Sequence, residues 1–195
     1  VKIPAKARPG GDPEAMWALQ QEILRLAENV FGPRDSSKTI FQPTFVDDGP
    51  QIRNTPNLDG AFAELSRNAE GYWPTAINEL AHETVHLLNP KPGIGNWLSE
   101  GMAVAFSIYA QQQFGMEPQA VAMASYRRAL ALVSKLPPDA LVTGRRIRED
   151  CGSLDNATTE GLRVLFPDVG HETLTRLCEQ FQRDWQARDQ PGKFG

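Results

Sequence analysis

The chain has 195 residues, enough for one domain with a sizeable core. Hydrophobic residues make up 41% and charged residues 23%, with a formal net charge of −4, which reads as a soluble globular protein. The acidic balance argues against a nucleic-acid partner, and no apolar run approaches the ~20 residues of a membrane span.

Residues 1–12, "VKIPAKARPGGD", are basic and rich in Pro and Gly and read as a flexible arm. The remainder, 13–195, reads as a single domain with a helix, a small sheet and a further helix up to about residue 90, and a helical subdomain from 91 onward. Val1 rather than Met opens the chain, so a removed leader stays open and the compartment is not fixed.

Asp12-Pro13 supplies a cap and a first-turn proline for a helix whose apolar stripe runs from Met16 and Trp17 to Val30 and Phe31 before Gly32-Pro33 ends it. "KTIFQPTFV" and "PQIRNTP" then read as short strands separated by an Asp-Asp-Gly-Pro turn. "LDGAFAELS" fits a further strand and equally a helix, since Ala, Glu and Leu dominate it. From Pro74 the pattern is almost wholly helical. Helices are expected over about 75–89, from Asn96 to about Phe114, and over about 118–136, 139–149, 158–166 and 172–188. Cys151 and Cys178 are the only cysteines, and sequence leaves open whether they pair.

The helix at 75–89 carries "HETVH". Positions i and i+4 lie one above the other on a helix face, so His82 and His86 can chelate one ion from adjacent turns. Glu83 projects beside them, placed to act on a metal-activated water rather than to bind the metal. Its neighbours Ile77, Leu80, Ala81, Val85, Leu87 and Leu88 make the helix strongly apolar, and unpartnered histidines are costly on a buried helix. A catalytic zinc site needs a third protein ligand and an open fourth position. "GNWLSEGMAVAFS" offers Glu100 in the first turn of the next helix, with Asn96 as its cap and "NPKPGIG" to turn the chain back. Gly101, Ala103 and Ala105 leave small surfaces beside Glu100 for close packing of the two helices.

"HETVH" followed by "NWLSEGMA" resembles the gluzincin metallopeptidases, zincins whose third ligand is a Glu on the following helix. "WLSEGMA" looks like the W-L-N-E-G-F-A stretch of the aminopeptidase branch, and the resemblance spans roughly residues 58–106. It implies an α+β, mostly helical, zincin-like fold, with a small N-terminal sheet packed on the active-site helix and a helical C-terminal half. It also implies one Zn2+ per chain on His82, His86 and Glu100, with Glu83 as general base and a peptide or protein as substrate. "GAFAE" resembles the G-x-M-E-N edge strand of zinc aminopeptidases, which pairs with substrate backbone; this marks Gly60, Ala61 and Phe62 as a candidate substrate strand. The family's Glu that reads a substrate amino terminus corresponds to Ala63, and the Asp with which thermolysin-like enzymes orient a histidine corresponds to Val104. Only 13 residues separate His86 from Glu100, as in a compact member. Asn89 and Pro92 stand where a metzincin would carry Gly and a third His.

Hydrolysis also needs a donor for the developing oxyanion. His171 and Tyr72 are the residues put forward, with Tyr126 also in view and Tyr109 pointing away from Glu100. Arg145, Arg146 and Arg148 are candidates for binding a substrate carboxylate. Two other readings stand beside the peptidase: a catalytically inactive zincin-like binding module, and a protein that uses metal only for stability.

Overall fold

The computed structural model describes residues 7–184. Its architecture is α+β and mostly helical, with a small early sheet followed by a helical C-terminal region. Of the stretch read as an arm, residues 7–12 are described. Pro9–Gly11 form a 3-10 turn, Pro9 is buried, and the Trp73 indole donates to Ala7 O at 2.8 Å. The first helix, α1 (Pro13–Phe31), is capped by Asp12, whose Oδ1 accepts from Ala15 N at 2.9 Å, and it ends at Gly32 with φ of 87°. Its inner face buries Met16, Ile23, Leu24, Ala27 and Phe31, while Trp17 stays 38% exposed at the edge of the stripe.

The sheet has four short strands: β1 (Thr39–Ile40), β2 (Thr44–Val46), β3 (Gln51–Asn54) and β4 (Gly60–Ser66). β4 is the central one. β1 and β2 both run parallel to it, with Thr39 opposite Gly60 and Thr44 opposite Glu64. The chain takes one more residue over that interval than β4 does, so β1 and β2 form one interrupted path around Pro43, which has no N–H to give. β3 lies antiparallel on the other side, pairing Gln51 with Glu64 and Asn54 with Ala61. The segment "GAFAELS" is therefore a strand. Its Ala61, Ala63 and Leu65 lie on one face and are fully buried, the face on which α3 packs.

A short helix, α2 (Arg67–Gly71), was not expected; it leads into α3 (Trp73–Leu87), with Pro74 in the first turn. α3 packs against β4, α1 and α4 (Trp97–Gln113). Asn96 caps α4 by accepting from Ser99 N at 2.8 Å. Leu98, Met102, Ala103, Val104, Phe106 and Ala110 are all buried, so α4 is the apolar centre of the fold.

Two expected helices are shorter. The helix expected over 118–136 is α5 (Ala124–Val133). Before it, Gln119 N is held by the Gln111 side chain, and Arg127 binds the carbonyls of Val121 and Ala122, which a helix would use internally. α6 (Ala140–Cys151) and α7 (Thr159–Leu165) fall where expected, capped by Asp139 and Thr158. The helix expected over 172–188 is α8 (His171–Cys178). The chain then becomes extended: Trp97 N donates to Glu179 O at 3.1 Å and Phe181 N to Gly95 O at 2.9 Å. Those bonds, and burial of Phe181 on Trp97, win over continued helix; residues 185–188 lie outside the described residues.

Gly101 plays a different part from the one expected. A Cβ there would stand 2.5 Å from Ala129 O and 2.6 Å from Val133 Cγ1, so its missing side chain admits α5 rather than α3. No helix among the described residues is long and apolar enough to cross a membrane.

Candidate metal centre

The two histidines come from the middle and last turn of α3, and Glu100 from the first turn of α4. The turn between them is fixed from several sides. Arg148 binds Asn89 Oδ1 at 3.0 and 2.7 Å, Lys91 binds Ser153 Oγ at 2.9 Å, and Asn96 Nδ2 donates to Leu154 O at 3.1 Å. The two helices are thereby held so that Glu100 meets the histidine face of α3.

His82, His86 and Glu100 each offer a ligand atom, and these atoms all lie within 4.8 Å of one another. His82 Nε2 stands 3.2 Å from Glu100 Oε2, and His86 Nε2 stands 3.6 Å from Glu100 Oε1. A tetrahedral ion with bonds of about 2.0–2.1 Å separates its ligands by about 3.3 Å, so this donor set has the spacing and the N/O chemistry of a divalent-metal site. The three side chains are 12–13% exposed, which leaves the cluster largely desolvated with an opening to one side.

The electrostatics match that geometry. Burial favours the neutral form of His86, yet the charge and hydrogen bond of Glu100 outweigh it and push its pKa up to about 9. Burial likewise opposes ionisation of Glu100, but His86 and His82 hold its carboxyl well below the usual range. Glu83, 4% exposed, forms no hydrogen bond with a described residue, and its pKa is raised chiefly by desolvation. Glu79, one turn earlier, is anchored by Ser66 N at 2.8 Å and Ser66 Oγ at 2.6 Å.

Tyr126 of α5 sets its ring edge-on against His82, with centroids 5.3 Å apart. Phe181 stacks on Tyr126 at 5.2 Å and in turn meets Trp97 at 4.8 Å. Burial, followed by the charge of Glu100, raises the phenol's pKa, so Tyr126 keeps its proton and can donate it. A cleft of about 580 Å3 opens beside the cluster, lined among others by Pro50, Asn78, Glu79, His82, Ser107 and Tyr126, with the extended stretch 119–123 as one wall.

Several residues put forward from sequence lie elsewhere. Tyr72 is 58% exposed at the start of α3, ten positions before His82 and hence about 15 Å along the helix axis. His171 is exposed at the start of α8 and does not line the cleft. Tyr109 packs on Phe106 in the core. Gly60, Ala61 and Phe62 are not on an edge: β1 and β3 occupy both sides of that part of β4, and the outer strands among the described residues are β3 on one side and β1 with β2 on the other. Arg148 is committed to the carbonyls of Phe31, Gly32 and Pro33 as well as to Asn89, Arg145 pairs with Glu149, and Arg146 lies over the Phe166 ring. Cys151 and Cys178 are both free thiols.

The chain matches no known family model, and neither a curated protein nor a solved structure is significantly similar to it.

Proposed function

We propose that this protein is a zinc-dependent peptidase, with His82, His86 and Glu100 as metal ligands and Glu83 as general base. The observation that carries the reading is the spacing of three desolvated N and O donors at 3.2 and 3.6 Å beside a cleft that can admit a ligand. A zinc ion held there would lower the pKa of a coordinated water to about 7 and polarise a substrate carbonyl.

The rest of the chemistry falls to side chains. Glu83 accepts the attacking water's proton and returns it to the leaving amine; a carboxyl with raised proton affinity is suited to both halves of that task. Tyr126, not His171 or Tyr72, is the donor proposed for the developing oxyanion, because its ring rests on a ligand histidine while the other two lie away from the cleft. A peptide passing through the cleft runs by Pro50, at the start of β3, so β3 rather than β4 is the strand proposed to meet its backbone.

The test is cleavage of an unstructured protein such as casein by the zinc-loaded chain. Cleavage should vanish on chelation, return with zinc, and be absent in Glu83→Gln. Bound zinc without cleavage of casein or of a diverse peptide library would favour the binding-module reading instead.

A further inference from the structure

One carboxylate in the cleft has no part in the chemistry above. Glu79 precedes His82 and Glu83 by one turn of α3, so it neighbours each of them on the helix surface, with Cβ atoms about 5–6 Å apart. Its position is not left to chance, since Ser66 holds Oε2 through its backbone N–H and Oε1 through its hydroxyl. Each carboxylate oxygen has two acceptor sites, so both keep one for a further donor. Among the described residues no Lys or Arg nitrogen lies within 4.0 Å of it. Arg183 acts on it only from a distance, its guanidinium resting 5.6 Å over the Tyr126 ring. Apart from Glu79 and His82, the cleft is lined by uncharged groups such as Thr75, Asn78, Ser107 and Gln119. Burial accordingly pushes the Glu79 carboxyl up, as befits an anion with fewer partners than water would give it.

We propose that Glu79 is a specificity-determining residue that recognises a positive charge, an ammonium or guanidinium group, on the molecule bound in the cleft. An extended peptide advances about 3.3 Å per residue, so the charge would belong to a residue within one or two positions of the bond presented to the three ligands. The position relative to a scissile bond rests on the peptidase reading; the recognition of charge does not.

The experiment uses zinc-loaded protein carrying Glu83→Gln, so that nothing is consumed, and calorimetric titration with four probes. Argininamide carries both cations, N-acetylargininamide only the guanidinium, alaninamide only the α-ammonium, and N-acetylcitrullinamide neither. At least one cationic probe should bind roughly tenfold to a hundredfold more tightly than the neutral one. Adding Glu79→Gln should erase the difference, and Glu79→Asp, which keeps the charge, should restore part of it. Retention by N-acetylargininamide assigns a side-chain cation, and retention by alaninamide a free amino terminus. Equal binding of charged and neutral probes, no binding of any cationic probe at millimolar concentration, or a preference that survives Glu79→Gln overturns the proposal. A chain that cleaves nothing yet shows the Glu79-dependent preference would refute the peptidase reading and leave this one standing.

Discussion

Glu83→Gln separates function from stability in a way that a merely structural glutamate would not. Glu83 is 4% exposed and its carboxyl has no hydrogen-bond partner among the described residues, so ionising it inside the fold is unfavourable. Its pKa is raised above the unfolded value near 4.5. Between those two values the unfolded state has given up the proton and the folded state has not, so stability falls as pH rises above about 4.5. Gln has almost the same shape and no charge to desolvate. In metal-free protein at pH 7, Glu83→Gln should therefore stabilise the fold by about 1–3 kcal/mol, because the amide keeps the shape and polarity of the protonated acid and removes the charge to be desolvated. For a chain of this size that is about 2–4 °C in Tm per kcal/mol. The gain should disappear toward pH 4.5, where the wild-type side chain is protonated in both states. The zinc-loaded variant should hold its metal and lose about 10²–10⁴-fold in hydrolysis. Thermal melts at pH 4.5 and 7, with metal analysis and a cleavage assay, check all three. A variant that is less stable at pH 7, or that sheds its zinc, would show that Glu83 supports the fold or the metal and would refute the reasoning.

Tyr126→Phe removes only the phenol oxygen; with Phe181 still stacked on the ring, the fold should hold, and kcat should fall by about 10²-fold with KM little changed. An unchanged kcat would take the oxyanion role away from Tyr126. Arg148 is 8% exposed and donates to Phe31 O, Gly32 O, Pro33 O and Asn89 Oδ1, so it ties the end of α1 to the turn that precedes α4. Arg148→Met should cost about 2–4 kcal/mol in urea unfolding and weaken zinc binding through that turn. In metal-free protein the raised pKa of His86, about 9, contributes stability that is complete below about pH 6.5 and is lost as pH climbs through 9. Urea melts from pH 6 to 9.5 should show that decline, and Glu100→Gln should flatten it.

The cluster that could hold a metal was legible in the sequence because its signals are local. The i, i+4 histidines need only a helix, and Asn96, a proline-rich turn and Glu100 need only the next one. α1 was equally legible, since Asp12, Pro13 and Gly32 mark its ends by short-range chemistry. What escaped depends on contacts between distant segments. The 172–188 stretch has helical composition, but Gly95–Trp97 draws it into an extended path; the 118–136 stretch is the exception, cut short by its own Arg127, which takes the carbonyls of Val121 and Ala122. Gly60–Phe62 looked like an edge because nothing in "GAFAE" announces that β1 and β3 will lie on either side of it. Tyr126 was one of several tyrosines until Gly101 let α5 approach α4 and Phe181 returned to stack on it. Glu79 gave no signal at all, because its anchor, Ser66, lies on another element.

The central claim is that His82, His86 and Glu100 bind one zinc with a position left open. The zinc K-edge absorption spectrum of the reconstituted, desalted protein tests it most directly. The account predicts about one zinc per chain with only nitrogen and oxygen neighbours near 2.0–2.1 Å, and loss of the metal in Glu100→Ala. A folded chain that retains no zinc, or a spectrum with sulfur at about 2.3 Å, which would implicate Cys151 or Cys178, would contradict it.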